Sequence, residues 1–142
     1  DWRCPFESVK VVLGRKLCDG SDVAVLSIGP IGNNVTKAIA QLLREDEAPS
    51  VAHYDMRFLK PLDEQILEEV GKKFKRIVTV ENGTIRGGLG SAVLEWMNDH
   101  HYCPRVIRLG LPDYFVEHGT VPELQNIVGL DPDSIIKAIR VL

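Results

Sequence analysis

From Arg76 to Met97 the chain reads RIVTVENGTIRGGLGSAVLEWM, and no other stretch restricts the fold as much. Ile77, Val78 and Val80 have the pattern of a buried strand, which runs into the acidic Glu81. A glycine-rich turn follows (Gly83, Gly87, Gly88, Gly90), and an amphipathic helix is predicted to open at Ser91. A strand, loop and helix in that order form a unit of an open α/β sheet. Its polar groups gather at the carboxyl end of the strand, where such sheets keep their function. The loop either holds a ligand or holds another domain.

The rest of the chain repeats the alternation. Val9–Leu17 reads as a strand or part of a hairpin, and Val23–Ile28 as a buried strand. Gly29 to Asn34 turns the chain into a helix over Val35–Arg44, with Val35, Ala38, Ile39 and Leu42 on one face. A strand is expected over Ser50–Met56, then a helix with Pro61 at its first position and Gly71 near its end. Val106–Leu109 is the last strand. Two helices close the chain, one with a Thr120–Glu123 capping box and one with Asp131 and Pro132 at its start. Strands alternating with helices give a mostly parallel sheet covered on both faces, a three-layer α/β/α sandwich.

Length and charge then narrow the classes. At 142 residues there is one domain. A net charge of −3 with interspersed signs argues against nucleic acid or an anionic membrane as partner. No apolar run approaches the ~20 residues of a membrane span. Three cysteines, Cys4, Cys18 and Cys103, are too few and too scattered for a disulfide framework, which fits a reducing cytoplasm. The chain starts at Asp1, and its first residues, with Trp2, Cys4, Pro5 and Phe6, have no period. Residues 1–13 are read as an arm from a preceding domain and 14–142 as the domain itself.

Each candidate site has a plain reading beside the functional one. Gly87, Gly88, Gly90 and Ser91 have the composition of a phosphate cradle at a helix N-terminus. Their spacing matches neither the dinucleotide fingerprint nor the P-loop, and Gly29–Asn34 misses both as well. The glycines read better as tight turns and places where a neighbouring chain's backbone approaches. Glu81 is placed to be a general acid or base, or else to accept hydrogen bonds from loop amides or pair with Arg86. His100, His101 and Cys103 lack a fourth ligand at zinc spacing. Asp113 and His118, in LPDYFVEHGT, form an acid–imidazole pair beside a cleft or simply order their loop. No self-sufficient active site is visible, so the residues assign no catalytic, cofactor or metal ligand to this chain. A free-standing module binding a nucleotide or other anion remains the alternative.

Taken together, SDVAVLSIGPI, DMRFLKPLDEQIL, RIVTVENGTIRGGLGSAV and LGLPDYFVEHGTVPEL resemble the C-terminal domain of the transketolase-like thiamine diphosphate enzymes. The resemblance covers about Gly14 to Leu142. The Arg-Phe-x-Lys-Pro-Leu-Asp and Leu-Pro-Asp-x-Phe-x-x-His-Gly segments point to the branch that condenses pyruvate with glyceraldehyde 3-phosphate. The β subunits of 2-oxo-acid dehydrogenases and transketolase itself are the sibling readings. The resemblance implies a five-stranded mixed sheet with one antiparallel edge strand. It also implies a homodimeric parent whose thiamine diphosphate and Mg2+ are held by preceding domains, with none bound here. On that pattern Glu81, Arg86, Gly87, Gly88 and Gly90 face a neighbouring domain or subunit, and Asp113 and His118 lie near the domain junction.

Overall fold

In the computed structural model, which describes residues 8–141, the elements follow one another as β1 (Arg15–Cys18), β2 (Val23–Ile28), α1 (Gly32–Leu42), β3 (Val51–Asp55), α2 (Glu64–Lys73), β4 (Arg76–Thr84), α3 (Leu89–Asp99), β5 (Arg105–Leu111), α4 (Val121–Ile127) and α5 (Pro132–Val141). The five strands form one sheet in the order β1-β3-β2-β4-β5. β1 runs antiparallel to β3, and all other neighbours are parallel. The expected mixed five-stranded sheet with an antiparallel edge is therefore present. Trp2, Cys4 and Phe6 lie outside the described residues.

The two faces of the sheet explain the unbroken apolar runs. A parallel strand covered on both sides has no solvent side on which to place polar residues. On one face Val23, Val25, Val78 and Val80 pack with Val35, Ala38 and Leu42 of α1 and with Ile135 and Ile139 of α5. On the other, Ala24, Leu26, Tyr54 and Ile77 pack with Leu67 and Val70 of α2 and with Leu89, Val93 and Met97 of α3. Each fully buried Val or Leu contributes roughly 1.5–3 kcal/mol.

Several boundaries differ from expectation. The first strand is only Arg15–Cys18, because Val9, Val11 and Leu13 are exposed and unpaired with the sheet. α1 begins at Gly32, three residues early. The Gly29–Ile31 carbonyls accept from the N–H groups of Gly32, Asn33 and Asn34 and start the helix there. Pro61 is not the first residue of α2. It follows a cis peptide, and Asp63 caps the helix by accepting from Gln65 N and Ile66 N. Gly71 lies near the end of α2, as expected, in its last turn, where the Tyr102 ring packs against it. The capping box of α4 and the Asp131 cap of α5 are as read from the sequence.

Two features position the site. First, β1 is antiparallel, so Arg15 lies opposite Asp55, the last residue of β3. The polypeptide thus enters the sheet at the carboxyl edge of the parallel strands. Lys16 then clips this short edge strand to α2 through Glu69, which also accepts from the Tyr54 hydroxyl. Second, Asn34 Nδ2 donates to Gln125 Oε1 at 2.9 Å and to the Leu130 carbonyl at 3.0 Å, tying α1 to α4 and to the turn between α4 and α5. Asn34→Ala removes both bonds and is expected to cost about 1–2 kcal/mol in urea unfolding. A change within a few tenths of a kcal/mol would show the tie to be incidental.

Candidate functional site

The strand of the opening unit does not stop at Glu81. β4 continues to Thr84, so Gly83 is a strand residue, and α3 opens at Leu89 instead of Ser91. The reason is the Glu81 side chain. It is buried, and its two oxygens accept from Leu89 N at 2.8 Å and Gly90 N at 2.9 Å. A carboxylate on the first free N–H groups of a helix is favoured by both hydrogen bonding and the helix dipole. The side chain fits because Gly83, Gly88 and Gly110 leave room around it.

This arrangement decides what the glycine loop can do. At an anion-binding helix N-terminus, the backbone N–H groups point at a phosphate. Here the chain's own carboxylate occupies that position. The loop amides are also engaged: Gly87 N donates to Ser91 Oγ and Arg86 N to Thr84 Oγ1. These residues do not fit a diphosphate, and among the described residues no three His, Cys, Asp or Glu converge as metal ligands. Nor does Glu81 pair with Arg86. It takes the loop-amide option that its position in the sequence allowed.

The remaining candidates divide into buried and exposed. Gly88 and Gly90 are buried within the chain, Gly88 against Glu81 and the Thr84 carbonyl, Gly90 against Thr79 and the Arg108 stem. Their missing side chains are accounted for by their own chain. Arg86 and Gly87 are exposed, and Gly87 has φ +76 with open space beside it. Arg86 Nε lies 3.7 Å from Asp113 Oδ2, so the structure brings these two together. Both are more than two-thirds exposed, and such a pair contributes well under ~1 kcal/mol. His118 is not part of it. It is exposed and lines a shallow depression with Pro122, Glu123 and Asn126. His100 stacks on Trp96 with 3.8 Å between ring centroids, and with His101 it finishes α3.

Two polar groups escaped the sequence reading. Arg108 Nη1 donates to the Ile85 carbonyl at 3.0 Å and Ser91 Oγ at 3.1 Å, holding the loop from β5. The signal was a lone arginine inside the apolar run RVIRLGL. Ser27 Oγ, near the carboxyl end of β2, and His53 Nε2, from the middle of β3, are 2.8 Å apart and almost fully buried. Burial holds the His53 imidazole down at a pKa of about 4, only partly opposed by the Asp55 charge. No sequence spacing links Ser27 with His53, since strand pairing alone unites them.

Beyond the loop, at the ends of β4 and β5, lies an apolar groove of about 530 Å3 bounded by the Pro112–Val116 segment and α4. Of the candidate residues, Arg86, Gly87, Asp113 and His118 are exposed, whereas Glu81, Gly88 and Gly90 are buried.

Comparison with known proteins bears on family and fold. The family model "Transketolase, C-terminal domain" matches residues 13–135. The chain is 58% identical over 139 residues to 1-deoxy-D-xylulose-5-phosphate synthase of Bacteroides thetaiotaomicron, covering 98% of this chain and 21% of that protein. It is 55% identical over 140 residues to the Parabacteroides distasonis synthase, covering 99% of this chain and 22% of that one. A solved split-gene transketolase, an inactive β4 tetramer, superposes with a TM-score of 0.85 at 29% identity, over 94% of this chain and 43% of that one. A 2-oxoglutarate:ferredoxin oxidoreductase from Magnetococcus marinus shares the fold alone, at TM-score 0.54 and 16% identity. The chain spans about a fifth of the length of these curated relatives. On its sequence and its fold alike, the chain belongs to the transketolase C-terminal domain family.

Proposed function

We propose that this chain is the C-terminal assembly domain of a thiamine-diphosphate-dependent 1-deoxy-D-xylulose-5-phosphate synthase. That enzyme condenses pyruvate with glyceraldehyde 3-phosphate, releases carbon dioxide and opens the non-mevalonate route to isoprenoids. The supporting observation is the Glu81 carboxylate seated on the α3 N-terminus, which leaves the glycine loop a structural role. High identity to synthases over nearly the whole chain, but over a fifth of theirs, supports the same reading. Thiamine diphosphate and Mg2+ then belong to the preceding part of a cytoplasmic, homodimeric parent. Residues 1–13 lead from that part, and 14–142 form the domain.

In this reading the exposed rim, Arg86, Gly87, Asp113 and His118, meets the neighbouring domain or subunit. Glu81, Gly88 and Gly90 act one layer below, by holding the loop that presents the rim. Titration calorimetry is expected to find no thiamine diphosphate binding to the 142-residue chain with Mg2+ present, and no pyruvate turnover. Tight cofactor binding by the chain alone would overturn the assembly role. The full-length parent, supplied with both substrates and the cofactor, is expected to form 1-deoxy-D-xylulose 5-phosphate. A parent that instead oxidises a 2-oxo acid would overturn the synthase assignment.

A further inference from the structure

The groove at the carboxyl edge is walled by Asn82 and Leu111 at the ends of β4 and β5, by Phe115, and by Val121, Leu124 and Val128 around α4. Phe115 is fully exposed, and Tyr114 and Val121 are about two-thirds exposed. α4 is more telling, because its seven residues include none that is buried. A helix this short is marginal in water unless its apolar side packs on something. Its capping box supplies only ~1 kcal/mol. Contiguous exposed apolar surface of this kind marks an interaction site.

Two observations indicate what covers it. About four-fifths of each matched synthase lies outside the region this chain covers. And the chain enters its sheet, past the exposed Val9, Val11 and Leu13, at the carboxyl end of the parallel strands, the end that also carries the groove. β1 stands at one margin of the sheet and the groove at the β4–β5 side. Whatever precedes β1 is therefore tethered at the groove's end of the sheet, across β3 and β2 from it, at an effective concentration that a separate molecule lacks. The lining carries no charged side chain, so a charged segment would lose its hydration there without a partner.

We propose that this groove seats an apolar segment from the part of the same polypeptide that precedes the domain, with Phe115 as the anchor side chain. The occupant brings one or two large aliphatic or aromatic side chains, and its peptide groups bond to Asn82 and Gln125. The proposal rests on reading the chain as one domain of a larger synthase. It goes further by assigning the surface, the anchor and a same-chain partner.

Hydrogen exchange on the 142-residue chain and on the full-length parent tests it. Amides of residues 111–128 are expected to exchange at least about tenfold more slowly in the parent. Phe115→Ser should leave the melting temperature of the isolated chain unchanged and abolish that protection in the parent. Equal exchange in both proteins would overturn the proposal. So would a dimer of the isolated chain, seen by light scattering and abolished by Phe115→Ser, which would assign the groove to a second copy. An active synthase with an unprotected groove refutes this proposal alone. A protected groove in a parent without synthase activity refutes only the proposed function.

Discussion

Alanine at position 88 is expected to destabilise this domain by about 3–5 kcal/mol, the cost of breaking a buried charge from its partners. A Cβ there would fall on Glu81 Oε2 and crowd the Thr84 carbonyl. Neither neighbour can retreat. The carboxylate is fixed by Leu89 N and Gly90 N, and the Thr84 carbonyl is strand backbone. The loop must open, which leaves two helix N–H groups unpaired and a carboxylate buried without donors. Gly87→Ala is the control: it meets no atoms but forces a side chain into φ +76, and about 1 kcal/mol is expected. Glu81→Gln keeps the shape but loses the charge and one acceptor, for about 1–2 kcal/mol. Denaturant unfolding of the three variants ranks them. A Gly88→Ala protein within 0.5 kcal/mol of the parent sequence would show that the loop relaxes freely, and the carboxylate seat would lose its structural meaning.

The second large effect concerns acid. His53 is folded with a pKa of about 4 because burial beside Ser27 disfavours the imidazolium, against an ordinary value near 6.5. The folded chain therefore binds fewer protons than the unfolded chain between those values. Its stability contribution is complete above 6.5 and is lost as pH falls toward 4, for about 3 kcal/mol in all. Between pH 7 and pH 5 the loss should reach about 2 kcal/mol. Glu69, drawn down to about 2 chiefly by Lys16, acts in a lower window, below its ordinary 4.5. The two groups thus separate on the pH axis. His53→Gln, which can still bond Ser27, should be less stable at pH 7 yet show no drop to pH 5. A wild-type denaturation midpoint that stays constant over that interval would refute the assignment, as would a drop that survives the substitution.

Much of this was legible because it is local. Val23–Ile28 announces a buried strand by having no polar residue until Ser27, and Val35, Ala38, Ile39 and Leu42 announce a helix face by their spacing. Thr120 with Glu123 is a capping box whose partners lie three residues apart, and Asp131 ahead of Pro132 marks a cap that accepts from the nearby Asp133 N and Ser134 N. Two of the misread ends are places where a side chain competes with the expected signal. Asp63 caps α2 in place of a proline start, and Glu81 draws α3 two residues forward.

The site divides along the same line. The sequence by itself determined the strand–loop–helix unit, its family and the failure of its glycines to match a nucleotide template. Only the tertiary structure decided what those glycines serve. Glu81 reaches the α3 N-terminus because β5 pairs with β4 and brings Gly110 to the carboxyl's flank, and because Arg108 of the same strand holds Ile85 and Ser91 in place. Ser27 meets His53, and Arg86 meets Asp113, for the same kind of reason. Short-range spacing encodes periodicity and caps. Which distant residue fills a given space is set by strand register, and that exists only once the sheet has formed.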